Sequence, residues 1–302
     1  MKKIIIGSRG SDLALWQANH VRQQLEKLGH TIEIKVIVTQ GDAIQHLSFD
    51  KLEGKGFFTK EIETALLEGS IDLAVHSHKD LETNPPAGLI IAAVSEREDP
   101  SELLLIRKEK VDLTREWNLV SGGIIGTSSA RRKSQVIRFR PDLQINDLRG
   151  NVPTRVQKLK DGHYDAILLA KAGVDRLQLD LSDFHVEVLD PTVVVPAPAQ
   201  GVLALQIRES DTELFDILQQ INHKDVASRI GVERKVLNLL EGGCQLPLGV
   251  YCETDSKVYV SHAKNWEEGA DWYLYEFDET DFMAELIVEE LNSEDEDEDE
   301  ED

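Results

Sequence analysis

The chain has 302 residues, more than one domain usually holds, so we expect two or three compact units. Its formal net charge of −23 disfavours binding to nucleic-acid phosphates. No apolar run approaches the roughly 18 residues that cross a bilayer, so a membrane partner is not expected. The two cysteines, Cys244 and Cys252, suit neither a disulfide framework nor a metal site, which favours a reducing cytoplasm.

The first segment predicts an α/β lobe. KKIIIG is typical of a strand, and Ser11 or Asp12 begins a helix that runs to about Leu28. The strand IEIKVIVT follows, and this β-α-β order indicates a parallel sheet with a right-handed crossover. A helix over 59–67 and the strands IDLAVHS and LIIAAV complete a lobe of residues 1–97.

The strands GGIIGTSS, LQINDLRG and YDAILLA predict a second α/β lobe over residues 98–199. The segment VVVPAPAQGVLALQIR carries the chain back, so we assign 200–220 to the first lobe. Ligands of open α/β sheets bind at the carboxyl ends of strands, which predicts a cleft between the lobes. A helix, three strands and a last helix from Asp281 predict a small α+β domain over 222–292, followed by an acidic tail over 293–302. We expect a disordered tail rather than a docking element.

Arginines gather in one part of this acidic chain. The span from Arg131 to Arg176 holds seven Arg and four Lys against five Asp and no Glu. In GTSSARR, Arg131 and Arg132 fall in the first turn of a helix, where a cation is unfavourable without a compensating anion. Arg149 and Arg155 of LRGNVPTR repeat this pattern, and Gly150 permits a close backbone approach. These features favour carboxylate binding, although plain hydroxyl capping with solvated arginines is the alternative.

The strand AVHS ends in His78, Lys79 and Asp80. Asp80 either forms a salt bridge with Lys79 or faces a cleft, where its carboxylate would stabilise positive charge on a substrate. His76 and His78 lie on one face, but the sequence supplies no further metal ligands, so we expect no metal.

Two other segments offer chemistry. In LEGGCQLPLG, Cys244 follows two glycines after a helix, which predicts an exposed thiol suited to attaching a prosthetic group. Cys252 lies in the apolar strand GVYCE and is expected to be inert. The segment FDKLEGKGFFTKEIE predicts either a surface loop or a lid that includes Lys55 and Phe58.

Taken together, the segments IGSRGSDLALWQA, KGFFTKEIE, DLAVHSHKDL, EREDP, GTSSARR, LRGNVPTR, YDAILLA, PAPAQG and EGGCQ resemble the porphobilinogen deaminase family from Ile4 to about Gly249. The resemblance implies two lobes with the fold of periplasmic binding proteins, plus a small C-terminal α+β domain, in a monomer. It also implies a dipyrromethane cofactor joined to Cys244 by a thioether. Four porphobilinogens would be added to this cofactor, each losing ammonia, before water releases hydroxymethylbilane.

The resemblance implies a role for each matching residue. Asp80 is the catalytic carboxylate that contacts pyrrole nitrogens. The implied cofactor-binding residues are Cys244, Lys79, Ser128, Ser129, Arg131, Arg132, Arg149 and Gly150. The implied substrate-binding residues are Arg9, Ser11, Arg149, Arg155, Arg176 and Gln200, with Lys55 and Phe58 in a mobile loop over the cleft.

This sequence departs from the family pattern at His78, where an apolar residue is common, and at Glu82, where proline is usual. The rival functions are a ligand-binding protein without chemistry and a phosphate-ester enzyme. The second would favour a GxxxxGK[ST] loop, which is absent from the sequence.

Overall fold

The computed structural model describes residues 1–39, 59–243, 245–278 and 281–300, with side chains up to Ser293 in the last helix. Within these residues the chain forms two compact units. The first comprises residues 1–98, 175–177 and 200–227, and the second comprises 99–174, 178–199 and 228–302. The first unit includes residues 200–227, the part of the chain that contains the predicted return over 200–220, and the predicted domain boundaries stay predictions. A separate domain over 222–292 remains a prediction.

Thirteen strands are present in the described residues. They are β1 Lys3–Ser8, β2 Thr31–Val36, β3 Leu73–Ser77, β4 Leu89–Val94, β5 Glu102–Arg107, β6 Ile124–Gly126, β7 Gln144–Asn146, β8 Ala166–Ala170, β9 Phe184–Leu189, β10 Leu203–Arg208, β11 Leu248–Thr254, β12 Lys257–His262 and β13 Asp271–Glu276.

Eight α-helices accompany these strands in the same residues. They are α1 Asp12–Lys27, α2 Lys60–Leu67, α3 Ala130–Phe139, α4 Val152–Lys160, α5 Lys171–Leu177, α6 Thr212–Gln219, α7 Lys224–Leu239 and α8 Met283–Glu300. The backbone of α8 is helical into the acidic segment, where the sequence predicted disorder from residue 293.

The first unit contains a five-stranded sheet in the order β2-β1-β3-β10-β4. β1 is parallel to β2 and β3, as the β-α-β pattern predicts, but β10 is antiparallel to both of its neighbours. The Ser11 side chain caps α1 by accepting from the backbone N–H of Ala14 at 3.4 Å. Ala18, Val21 and Leu25 of α1 are fully buried in the core of this unit, so the helix covers one face of the sheet.

The second unit contains a five-stranded sheet in the order β7-β6-β8-β5-β9. Again three parallel strands are followed by an antiparallel one, here β5. Leu103 and Leu105 pack into a core on one face, and Leu104 and Ile106 into a core on the other. Because both faces are covered, β5 is apolar between its two ends, where Glu102 and Arg107 are the exceptions.

The last part of this unit is an antiparallel sheet in the order β11-β12-β13. Val236 of α7 and Ile287 of α8 pack with Val260 of β12 in one hydrophobic cluster. The predicted α+β character of the C-terminal part is therefore confirmed.

Candidate functional site

The first candidate region lies where β3 ends. A single 3-10 turn, His78–Asp80, follows the strand, and the backbone N–H of His78 donates to the carbonyl of Val202 at 2.9 Å. His78 is buried, which agrees with the apolar residue common at this position in the family. Asp80 is exposed and forms no hydrogen bond or ion pair with the described residues. Its carboxylate is therefore available to a ligand.

Lys79 donates to the side-chain oxygen of Gln200 at 3.1 Å. Gln200 is fully buried, and its carbonyl accepts a hydrogen bond from Arg97 Nε at 3.0 Å. The alternative in which Lys79 and Asp80 form only a salt bridge is thus not what the structure contains. Instead, Lys79 is tied to an uncharged amide within the same unit.

Arg9, Ser11 and Arg176 also lie in the first unit. Arg9 is half-buried, and Ser11 is the residue that caps α1. Arg176 is buried, donates to the carbonyl of Gly201 at 2.7 Å, and lies over the ring of Trp16 at 5.7 Å. Burial lowers the pKa of the Arg176 guanidinium.

His76 is the buried titratable group of this strand. Burial, with a contribution from the positive charge of Arg9, lowers its pKa to about 4, while its hydrogen bond with Gln206 opposes that shift. His76 is therefore neutral at pH 7. Among the residues that the structure describes, no three or more His, Cys, Asp or Glu side chains are arranged to hold a metal ion. The expectation of no metal remains a prediction.

The second candidate region is the N-terminal end of α3. The Ser129 side chain caps this helix by accepting from the N–H of Arg132 at 3.4 Å. The Ser128 hydroxyl donates to the carbonyl of Leu148 at 3.1 Å and accepts from its N–H at 3.0 Å. These bonds connect the turn after β6 to the segment after β7, where the second arginine motif begins.

Arg131 and Arg132 are nearly buried, and part of each guanidinium group is already hydrogen-bonded within the protein. They are 5% and 7% exposed, and both bind the carboxylate of Glu102, which is 0% exposed. Each donates from Nη2 to a different oxygen of Glu102, both at 2.6 Å. The compensating anion that the sequence pattern requires is thus an internal one. The alternative with solvated arginines is wrong, and binding of an external carboxylate remains a prediction.

The segment around Gly150 places Arg149 and Arg155 next to α4. Arg149 and Arg155 are half-buried, and Arg155 Nε donates to the carbonyl of Gly150 at 2.7 Å. Gly150 has φ +115°, and a Cβ there would lie 2.7 Å from Cγ2 of Thr154. Glycine is therefore required by the local backbone, whatever ligand approaches it.

Three predicted site residues, Lys55, Phe58 and Cys244, lie outside the described residues. The other cysteine, Cys252, is free and 1% exposed in the hydrophobic cluster of the three-stranded sheet, so its assignment as a core residue is confirmed.

The residues present fit a ligand that bears carboxylates. Nε of Arg132 and Nε of Arg176 are buried and have no hydrogen-bond partner among the described residues. Leaving such a donor unpaired is costly, and a carboxylate oxygen is the acceptor that guanidinium binds best. Each unit therefore contains at least one donor that an acidic ligand would satisfy.

Two residues that contact these arginines were not predicted from the sequence. Glu102 begins β5, and the only signal for it was a carboxylate at the start of the apolar run LLLI, because a charge in a buried strand needs a partner. Trp16 lies in α1 among apolar residues at helical spacing, which gave no indication of its contact with Arg176.

These features define the class of protein: a mixed α/β chain with arginines, hydroxyl groups and an exposed carboxylate, Asp80, close to strand ends. No helix in the described ranges combines the length and apolar character needed to span a membrane. A family model described as "Porphobilinogen deaminase, dipyromethane cofactor binding domain" matches residues 4–216.

The chain is also similar to named relatives and to solved structures. Porphobilinogen deaminase from Oceanobacillus iheyensis is 46% identical over 262 residues, covering 86% of this chain and 83% of the relative. The same enzyme from Nitratidesulfovibrio vulgaris is 47% identical over 252 residues, covering 82% and 78%. A putative methionine-binding lipoprotein from Bacillus subtilis is 12% identical with a TM-score of 0.44, covering 74% and 92%. The chain belongs to the porphobilinogen deaminase family.

Proposed function

We propose that this chain is a transferase that condenses four porphobilinogen molecules head to tail into hydroxymethylbilane. The observation that carries the proposal is the match of the family model for the dipyrromethane-binding domain to residues 4–216, a span that includes Asp80 and the arginines of both units. In each condensation the C–N bond of one aminomethyl group breaks and releases ammonia. A C–C bond forms to the free α-carbon of the chain, which loses a proton. In the last step water would break the C–C bond that holds the finished chain: its methylene carbon would take the hydroxyl group, and the pyrrole carbon left behind would take the proton.

Asp80 is the catalytic residue in this proposal. Its exposed carboxylate has no ion pair within the described residues, so nothing there neutralises it before a substrate arrives. Carbon–carbon bond formation places positive charge on pyrrole nitrogen, and a fixed carboxylate acts on such charge mainly in the transition state. Lys79, held by Gln200, fixes one side of the turn that presents Asp80.

The dipyrromethane cofactor supplies the carbon to which the first substrate is joined, and we propose that Cys244 holds it through a thioether. Arg132 and Arg176 each offer a buried Nε donor for a carboxylate of cofactor or substrate. The remaining proposed cofactor contacts are Ser128, Ser129, Arg131, Arg149 and Gly150. The remaining proposed substrate contacts are Arg9, Ser11, Arg155 and Gln200, with Lys55 and Phe58 in a covering loop.

We also propose that the enzyme is a cytoplasmic monomer without nucleic-acid or membrane partners. The net charge of −23 supports the first exclusion, because phosphates repel a polyanion. Light scattering at micromolar concentration should give the mass of one chain, and the mass of two chains would contradict this part of the proposal.

An intact-mass measurement tests the proposed attachment. The purified protein should carry extra mass equal to two porphobilinogens less two ammonias, on the peptide that contains Cys244. Cys252→Ser is the matched control and should keep this mass, because Cys252 is buried in a core. Unmodified Cys244 in fully active enzyme would contradict the attachment, and absence of ammonia release from porphobilinogen would contradict the activity.

A further inference from the structure

Glu102 joins two arginines that are adjacent in sequence. It begins β5 with no solvent exposure, and its Oε1 and Oε2 accept from Nη2 of Arg131 and of Arg132, each at 2.6 Å. A carboxylate that binds one arginine can place both of its oxygens on the same guanidinium. Here the two oxygens are divided between two guanidiniums, so the carboxylate fixes the position of one relative to the other.

A second contact holds each guanidinium from another side. Nη1 of Arg131 donates to the carbonyl of Val195 at 2.9 Å, and Nη1 of Arg132 donates to the carbonyl of Leu168 at 3.1 Å. With these bonds each group uses two of its five N–H donors. The orientation of the remaining donors, including the buried Nε of Arg132, is therefore set by the protein itself.

The charges of this trio do not cancel. Two guanidiniums lie side by side in the first turn of α3, where the helix dipole also disfavours cations. One carboxylate leaves a net charge of about +1 in a nearly buried place, where charge is weakly screened. One further carboxylate would neutralise the cluster, whereas without Glu102 the cluster would carry both positive charges.

We propose that Glu102 is a positioning residue that aligns Arg131 and Arg132 and reduces their combined charge so that the cluster binds one carboxylate of the ligand. This role rests on the proposed function, in which that ligand is the dipyrromethane cofactor. The residue contacts the two arginines and acts through them.

Glu102→Gln tests the role, because it keeps the shape of the side chain and removes its charge. Glu233→Gln is the matched control: Glu233 is also fully buried in the second unit, but its carboxylate accepts from the backbone N–H groups of Ala199 and Cys252. Both substitutions should lower the unfolding midpoint, on the order of 10 °C for loss of a buried charged partner. Only Glu102→Gln should reduce the fraction of protein carrying the dipyrromethane mass, by at least about tenfold.

A second readout does not depend on the cofactor. In Glu102→Gln protein the uncompensated guanidiniums should take up anions, so inorganic phosphate should raise its unfolding midpoint more than chloride does at equal ionic strength. Phosphate also stabilises folded proteins in general, so the difference between the two salts in Glu233→Gln gives the baseline, and the difference in Glu102→Gln should exceed it. Equal loading of the two variants, or an equal response to phosphate, overturns the role of Glu102. A parent chain without the adduct overturns the proposed function instead, and this role with it.

If Glu102→Gln does not fold, a triple variant replaces the test. In Glu102→Leu, Arg131→Met, Arg132→Met the whole ionic trio is exchanged for apolar side chains, a change that is often neutral or stabilising. This variant should fold, because no buried charge is left without its partner. It should not carry the adduct, because the guanidiniums of Arg131 and Arg132 are absent. Failure of the triple variant to fold would show that Glu102 serves packing rather than the arginines, and would overturn the proposal.

Discussion

The two units differ in whether the carboxylate next to a strand end is exposed or buried. In the first unit Asp80 is exposed, His76 is buried but neutral, and Lys79 donates to the amide of Gln200. In the second unit Glu102 is fully buried between two nearly buried guanidiniums. The first unit thus presents an exposed carboxylate, and the second holds two guanidiniums in a fixed orientation. A charged motif at a strand end indicates a site, but burial decides how the charge is used.

The largest expected effect comes from breaking the buried trio with Arg131→Leu. The substitution leaves Glu102 buried with one of its two arginines, and removing one partner of a buried pair costs about 3–5 kcal/mol of unfolding free energy. Urea denaturation should show this loss, and intact mass should show that cofactor assembly is blocked. We expect Arg132→Leu to behave in the same way.

Arg138→Leu is the matched control in the same helix. Arg138 forms an exposed ion pair with Asp271 at 3.4 Å, and such pairs contribute about 0–1 kcal/mol. If Arg131→Leu is no less stable than Arg138→Leu, the buried ion pair of Arg131 does not contribute more to the free energy of unfolding than the exposed pair of Arg138, and the prediction is wrong.

The second prediction concerns the neutral histidine of the first unit. The pKa of His76 is about 4 in the folded chain, against an ordinary value of about 6.5. Below pH 6.5 the unfolded chain binds a proton that the folded chain does not, so stability falls as pH decreases toward 4. His76 should account for roughly 3 kcal/mol of this fall. The stability profile of His76→Leu should be flatter over the same range, and an unchanged slope would contradict the assignment.

The third prediction tests the exposed carboxylate. Asp80→Asn keeps the shape of the side chain and removes its charge, so kcat should fall by at least about 100-fold while the proposed adduct on Cys244 is retained. Exposed Glu82, two residues later, provides the control, and Glu82→Gln should keep kcat within a few fold. An Asp80→Asn enzyme as active as that control would refute the catalytic role.

The smallest effect is expected from deleting residues 294–302. All nine are acidic, so the segment offers no apolar side chain to a core. Turnover and unfolding midpoint should therefore stay near those of the full chain. A large loss of activity with folding intact would indicate a catalytic or docking role for this segment.

Much of the fold could be predicted from local patterns, whereas the pairing of distant strands could not. Ser11 and the helical spacing of Ala18, Val21 and Leu25 predicted α1 closely. The strands β5 and β9 were not predicted. ELLLIR is buried on both faces and so lacks alternation. FHVEVL forms an edge of its sheet with Val186 and Val188 exposed, so its alternating valines do not mark a core face. The antiparallel placement of β10 and β5 depends on tertiary packing, which no local period encodes.

The same distinction holds for the candidate site. Asp80, Arg131 and Arg132 could be identified because they lie in compact motifs. The partner of the two arginines could not, since Glu102 lies 29 residues before Arg131 and 30 before Arg132. The sequence indicated that an anion was needed at α3, and only the fold shows that the chain provides one itself.

The position of β10 has a consequence for how the protein is made. Both five-stranded sheets insert one antiparallel strand beside three parallel ones, but β5 precedes its partners in the chain while β10 follows β3 and β4 by more than a hundred residues. During synthesis, all strands of the second sheet are available once residue 189 has left the ribosome, whereas the first sheet waits for residue 208. Until β10 has been synthesised, β3 and β4 have unpaired edges, and such edges favour aggregation. We therefore expect the enzyme to depend most on chaperones during synthesis of the residues between β4 and β10.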